Sequence, residues 1–227
     1  MDLIHGLKNI GFTKQEAIIY ITLCQNGELS GYEVAKVTGI SRSNAYASLS
    51  TLVEKGGALI VEHSKTKYIA TPKEELLSNI KRDFDKTINY LDEHLDFSPI
   101  CHEPYITVLG KKNIHDKIIN MINLAEMRIY ISADHEELNL FADELMGAKE
   151  RGLKVVIITN EDFPYSSTTY MAKNMIQDNF KMIVDTKEVI SGKLISSFEA
   201  LYSKNSTLVN IIREAFINEI ELITMQD

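Results

Sequence analysis

The run Ser30-Gly31-Tyr32-Glu33-Val34-Ala35-Lys36-Val37-Thr38-Gly39-Ile40-Ser41-Arg42-Ser43-Asn44-Ala45-Tyr46-Ala47-Ser48-Leu49 decides the fold of the N-terminal region. Ser30 is a helix N-cap, since its hydroxyl can accept from a backbone N–H of the first turn. Val34, Ala35 and Val37 then make an inward face. Gly39 stands where a helix ends and a tight turn begins, and Ile40 plugs that turn. Ser41 caps a second helix from Arg42 to about Lys55, with Ala45, Leu49, Leu52 and Val53 at helical spacing. Two helices joined by a short turn with glycine, the second with one apolar face, make a helix-turn-helix.

Upstream, Leu3, Ile4, Leu7 and Ile10 have helical spacing. Thr13-Lys14-Gln15-Glu16 is a capping box, and the helix after it buries Ala17, Ile18, Tyr20, Ile21 and Cys24 until Asn26-Gly27 stops it. Downstream, Gly56-Gly57 ends the helix, 58–62 reads as a strand, 63–67 as a polar loop and 68–71 as the returning strand, closed by Pro72. A basic-tipped hairpin after a recognition helix is a wing.

The chemistry follows from that geometry. In a helix-turn-helix the N-terminal residues of the second helix reach base edges in the major groove. Here these are Arg42, Ser43 and Asn44, with Tyr46 and Ser48 further along. Arg bonds guanine bidentately and Asn bonds adenine. Lys65 and Lys67 on the wing are expected to contact phosphate or the minor groove. The bland alternative is a protein-interaction module whose Ser43, Asn44 and Ser48 form a solvated face.

Four runs carry a family likeness: Gly11-Phe12-Thr13-Lys14-Gln15-Glu16-Ala17, Gly31-Tyr32-Glu33-Val34-Ala35, Ser41-Arg42-Ser43-Asn44-Ala45-Tyr46 and Leu52-Val53-Glu54-Lys55-Gly56. In this order they resemble the TrmB-like family of transcription regulators. Gly57-Ala58 departs from the family pattern, which has a bulkier residue after the first glycine. The resemblance implies operator binding as a dimer.

Charge is uneven. Residues 1–72 contain seven Lys or Arg and six Asp or Glu, a net +1, whereas 73–227 carry −9 of the total −8. Any contact with a polyanion therefore comes from the first segment. A +1 module needs two copies for useful affinity, which again points to a dimer. The two cysteines, Cys24 and Cys101, have no framework spacing and read as reduced thiols. With no long apolar run and no secretory signal, the expectation is a cytoplasmic protein without a membrane partner.

Pro72-Lys73-Glu74-Glu75 opens a helix that runs to about Asp96. Leu77, Ile80, Phe84, Ile88, Leu91 and Leu95 recur at spacings close to a coiled-coil seam. We expect this linker, 73–97, to hold two copies together; the alternative is an amphipathic helix packed on its own domain. His94, Cys101, His102 and Glu103 form the one cluster of metal-ligand types, and their spacing matches no zinc pattern. No metal or cofactor is expected.

From 104 to 227, strand-like and helix-like segments alternate. Strands are expected at 105–109, 127–131, 153–159 and 198–202, with a hairpin of 180–185 and 188–191. Helices are expected at Lys111–Leu124, 136–151, 169–177 and 206–223. The alternation argues an α/β domain with a mixed, largely parallel sheet. The fold class is thus an α+β winged helix-turn-helix, a coiled-coil linker helix and an α/β C-terminal domain, bounded at 1–72, 73–97 and 104–227.

The stretch 128–159, with Arg151-Gly152-Leu153-Lys154-Val155-Val156-Ile157-Ile158, resembles half of a phospholipase D-like domain. Active members of that family need His-x-Lys-x4-Asp. With Asp185 as the Asp, the His position holds Asp178 and the Lys position Phe180. The resemblance therefore implies a scaffold without phosphodiesterase chemistry. In a parallel sheet a ligand sits at the C-terminal strand ends, which nominates Ser132, Asp134, Thr159 and Asn160 as contacts for a small-molecule effector. A plain dimerisation domain is the equal alternative. The expected function is a homodimeric, sequence-specific regulator of transcription binding double-stranded DNA, not an enzyme. The competing readings are a phospholipase D-like hydrolase with an accessory winged helix, and a protein-interaction module.

Overall fold

In a computed structural model, the described residues are 2–62, 66–95, 105–173 and 175–225. The chain divides into two compact units, 1–99 and 100–227.

The first unit runs α1 (Leu3–Asn9), α2 (Lys14–Asn26), β1 (Leu29–Ser30), α3 (Gly31–Thr38), α4 (Arg42–Glu54), β2 (Ala58–Glu62), β3 (Thr66–Ala70) and α5 (Lys73–His94). Its antiparallel sheet has the order β1-β3-β2. Both expected capping boxes form, Thr13 with Glu16 and Ser30 with Glu33. Ser41 accepts from the Asn44 N–H, and Gly39 ends α3 at φ 70° in the left-handed region. This is a winged helix-turn-helix, built where the local signals put it. Its core contains Phe12, Ile19, Tyr20, Leu23, Val34, Leu49 and Leu52.

Three readings in this unit need correction. The buried face of α2 is Glu16, Ala17, Ile19, Tyr20, Thr22 and Leu23, so Ile18 and Ile21 are half-buried and Cys24 is exposed. The phase shifts because Glu16 is drawn inward by partners on α4. Val37 is exposed, since α3 turns Val34 and Ala35 to the core instead. The buried residue of early α5 is Leu76, which joins the winged-helix core, with Ile80 packed half-buried beside it. Ile80 thus belongs in part to its own domain and not purely to a seam. A helix entering from Pro72 next to that core must cover it before it can face anything else.

The second unit runs β4 (Ile106–Leu109), α6 (Lys111–Leu124), β5 (Arg128–Ser132), α7 (His135–Asn139), α8 (Ala142–Glu150), β6 (Lys154–Thr159), β7 (Thr168–Met171), β8 (Phe180–Val184), β9 (Glu188–Lys193), β10 (Glu199–Ser203) and α9 (Ser206–Thr224). The sheet has the order β4-β10-β9-β8-β5-β6-β7. Side chains of α6 and α8 fill one core with Ile129, Ile131, Ile157, Phe180 and Met182. Side chains of α9 form another with Ile158, Ile183 and Val189.

The sheet is mixed, as expected, but not largely parallel. Only β5/β6 and β6/β7 run parallel, whereas β8 pairs antiparallel with β5 and β9, and β10 with β9 and β4. The cause is a meander from β8 to β10 joined by short turns, one of them placing Asp185 and Thr186 at positive φ. Parallel neighbours need longer crossovers than those turns allow. The helix expected at 169–177 is absent: 168–171 form β7 on the free edge of β6. Thr168, Thr169 and Tyr170 favour extended backbone, and the Ser167 and Ala172 N–H groups donate to carbonyls of β6. The helix expected over 136–151 is broken between Asn139 and Ala142 into α7 and α8.

Candidate nucleic-acid interface

The start of α4 presents Arg42, Ser43, Asn44 and Tyr46 to solvent. Arg42 is held in place: its guanidinium carbon lies 4.6 Å from the ring centroid of Tyr32 on α3. That cation–π contact restricts a long side chain before it meets any base. Tyr32 was missed from sequence, where it read only as part of the motif; the signal was an aromatic next to the cap of α3. Tyr46 lies against Gly31, where an added Cβ would come within 2.5 Å of its ring. Gly31 thus lets α3 and α4 approach with Tyr46 between them.

Ser48 is not on this surface. It is buried, and its hydroxyl donates to Gln15 Oε1 at 3.2 Å. It follows Ala45 by three residues and so shares the inward face of α4. On the wing, Lys65 lies outside the described residues. Lys67 is half-buried on β3, with its ammonium 3.4 Å from Glu28, so it is not an unencumbered phosphate ligand.

Below the surface, Glu16 ties α2 to α4. Its carboxylate accepts from the Thr13 N–H, the Thr51 hydroxyl and the Lys55 ammonium, each at 2.7 Å. Lys55 also donates to the Gly11 carbonyl at 2.9 Å. Burial works against the charge, but the hydrogen bonds from Lys55, Thr13 and Thr51 outweigh it and hold the carboxyl below its usual range. On α5, Leu77, Phe84, Ile88, Leu91 and Leu95 are exposed, an apolar strip on an otherwise charged helix.

In the second unit the nominated effector residues separate. Asp134 and Asn160 line a cleft of ≈ 350 Å³ with His135, Glu161 and Asp178. The Asn160 side-chain Oδ1 accepts from the His135 backbone N–H at 2.9 Å. Ser132 and Thr159 are buried, and their hydroxyls donate to Glu219 and Asn160. They sit at the ends of β5 and β6, but with their side chains committed to the interior.

The positions matched to a phosphodiesterase motif have framework roles. Asp178 accepts from the Ile195 and Ser196 N–H groups, both at 2.9 Å. Phe180 is fully buried in the core. Asp185 accepts from the N–H groups of Glu126, Met127 and Arg128, all at 2.8 Å. In both aspartates burial opposes the charge, and the N–H donors prevail and lower the carboxyl below its ordinary range. Among the described residues there is no cluster of His, Cys, Asp or Glu fit to hold a metal, and no helix long and apolar enough to cross a membrane. Of the metal-type cluster read from sequence, residues 101–103 lie outside the described set.

Two family profiles match. Residues 7–74 match the sugar-specific transcriptional regulator TrmB, and 105–220 match the N-terminal EBD subdomain of transcriptional regulator TrmB. The chain belongs to the TrmB family. It is therefore a DNA-binding regulator of transcription, with the winged helix as its first matched segment. It is similar to the uncharacterized protein YrhO of Bacillus subtilis, 28% identical across 98% of this chain and 86% of that protein. It is also similar to the sugar-sensing transcriptional regulator TrmBL1 of Pyrococcus furiosus, 30% identical across 71% of this chain and 48% of that one. The chain thus aligns with about half of TrmBL1. Among solved structures, TrmBL2, an archaeal chromatin protein, superposes with a TM-score of 0.44 at 18% identity, over 95% of this chain and 96% of that one. The phospholipase D family member Nuc of Salmonella typhimurium gives 0.41 at 17% identity, over 52% of this chain and 94% of Nuc.

Proposed function

We propose that this TrmB-family chain reads its operator as a homodimer, with Arg42, Ser43, Asn44 and Tyr46 of α4 at the base edges and the wing, Lys65 and Lys67, at the backbone. The observation that carries the reading is Arg42 braced over Tyr32 beside an exposed Asn44. On this reading Arg42 is a guanine reader and Asn44 an adenine reader, at the N-terminus of a helix of the kind that enters the major groove. The near-neutral charge of residues 1–72 gives one copy little phosphate affinity. The exposed strip of α5, from Leu77 to Leu95, is the surface on which two copies join, with Ile80 shared between strip and core.

In this reading the second unit supplies regulation and no catalysis. Its Asp134 and Asn160 border an effector cleft, and its Asp178 and Asp185 carboxylates are occupied by backbone N–H groups. A regulator bound to DNA works in the cytoplasm. We place the domains at 1–72, 73–97 and 104–227, with the first turns of α5 also serving the winged-helix core.

A gel shift on the DNA upstream of its own gene tests this. Arg42→Ala should weaken binding about tenfold or more, in line with ~1–3 kcal/mol for a bidentate base contact. Unchanged binding by Arg42→Ala combined with Lys65→Ala would overturn the docking. Sedimentation of Ile88→Glu should show monomers; a dimer that persists removes α5 as the joint.

A further inference from the structure

The wing offers DNA less free charge than its sequence suggests. Lys67 is paired with Glu28, and Lys55, at the C-cap of α4, is paired with Glu16. A DNA-binding protein takes its register on the duplex from phosphate contacts, largely by Lys and Arg. That leaves room for a phosphate ligand beside α4 itself.

α4 turns Ala45, Leu49 and Leu52 to the core and leaves Ser43, Ala47 and Ser50 exposed on the opposite side. Spacings of four and three put those three in one stripe. The start of α2 lies along one flank of it. Lys14, Gln15, Ala47, Ser48 and Thr51 line a shallow notch of ≈ 430 Å³ between the two helices. Its floor is cross-linked: the Ser48 hydroxyl donates to Gln15 at 3.2 Å, and the Thr51 hydroxyl and Lys55 ammonium donate to Glu16, each at 2.7 Å. The first turn of α2 is thereby fixed relative to the stripe. Lys14 is exposed and has no ion-pair partner among the described residues. On the opposite flank of α4, Tyr46 lies against Gly31 and Arg42 over Tyr32, so the stripe runs between α2 and α3.

We propose that Lys14 is a ligand of the DNA backbone: with the Ser43, Ala47 and Ser50 stripe toward the bases, its ammonium bonds a phosphate of the strand that borders the groove on the α2 side. The major groove is about 12 Å wide, and a helix with its side chains measures about 10–12 Å. α4 therefore fills the groove, and a group beside its exposed stripe meets the phosphate rim and not base edges. Ala47 brings only a methyl group to the notch. The carboxylate there, Glu16, is buried and paired with Lys55, so an approaching strand meets the charge of Lys14. The end of α2 adds little, because the capping box already takes the Thr13 and Glu16 N–H groups. The attraction is that of a compact point charge on a flexible stem. This role rests on the reading of α4 as the base-contacting helix and adds the group that sets its register.

Fluorescence anisotropy of the full chain on the DNA upstream of its own gene, over a series of salt concentrations, tests this, with a scrambled duplex of equal length as comparator. Each phosphate contact contributes about 0.9 to the slope of log K against log salt, so Lys14→Gln in both copies of a dimer should lower the slope by about 1.8. Affinity near 0.1 M salt should fall about tenfold or more. It should fall by the same factor on operator and scrambled DNA, since a phosphate contact carries no sequence information. Lys14→Arg should restore slope and affinity. Thermal unfolding of Lys14→Gln should match the wild type, as the side chain is exposed. An unaltered slope, a loss confined to the operator, or an equal change of slope in Lys8→Gln, an exposed lysine of α1, would each overturn the proposal. Arg42→Ala, measured alongside, separates the two readings. If it costs operator affinity while Lys14→Gln changes nothing, the Lys14 contact alone is sunk. If neither variant alters binding, the docking of α4 falls, and the Lys14 contact with it.

Discussion

The buried carboxylates of the two units differ in how fully they are used. In the winged-helix unit, Glu16 has both oxygens occupied, by a backbone N–H, a hydroxyl and an ammonium. In the second unit, Asp185 is equally saturated, by three consecutive N–H groups. Glu137, also buried, leaves Oε1 open beside two other carboxylates. Burying a charge costs free energy unless every lone pair is met. A saturated carboxylate is therefore framework, and an open one is a weak point.

The largest expected effect is at Asp185. Asp185→Ala strips three charge-assisted hydrogen bonds from the 126–128 backbone and should destabilise the second unit by about 4 kcal/mol. Urea unfolding measures it, and a loss below about 1 kcal/mol would mean that water replaces the carboxylate. Wild-type protein should lose this contribution as pH falls below the ordinary aspartate range, since the folded carboxyl titrates lower than 3.8.

Next comes Glu137, with the opposite sign. Its folded carboxyl is raised from 4.5 to about 7, so its favourable contribution is intact below 4.5 and declines as pH rises to about 7. Glu137→Gln should thus match the wild type in acid and exceed it above neutrality, by at most about 3 kcal/mol. Equal urea midpoints at about pH 8 would show that the carboxyl is already partnered.

Glu16→Ala should cost the winged-helix unit about 2 kcal/mol. The pair with Lys55 is discounted because that ammonium is 38% exposed. Thermal unfolding checks it; a larger loss would mean that Glu16 also holds the recognition helix in place. The smallest effect is at Ser48. Ser48→Ala removes one hydrogen bond to Gln15, about 0.5–1 kcal/mol, and should leave operator affinity unchanged in a gel shift. A clear loss of affinity would return Ser48 to the DNA face.

Most of the first unit was legible because its signals are local. Thr13, Ser30 and Ser41 bond backbone within three residues, and Gly39 needs only its own φ. The errors there came from helix phase. Nothing next to Glu16 in sequence reveals that Thr51 and Lys55 pull it inward, and that pull turns Ile19 and Leu23 to the core in place of Ile18 and Cys24. Tyr32 and Arg42 lie ten positions apart, and only the packing of α3 on α4 joins them. In the second unit, 168–171 carries strand propensity in a stretch too short to outweigh a helical reading of 169–177. Its state is set by the open edge of β6.

By itself the sequence determined the caps, the turn, the recognition helix with Arg42 and Asn44 at its start, the alternation of elements beyond 104, and the loss of the His and Lys that phosphodiester chemistry needs. These follow from short-range hydrogen bonding and from residue identity. Tertiary structure alone decided the strand directions, the inward turn of Ser48, the use of Asp178 and Asp185 as backbone fasteners, and the burial of Glu137 near Asp134 and Asp178. Each of these depends on partners far apart in the chain, some nearly sixty residues away, and burial acquires its cost or benefit only once the fold has brought them together.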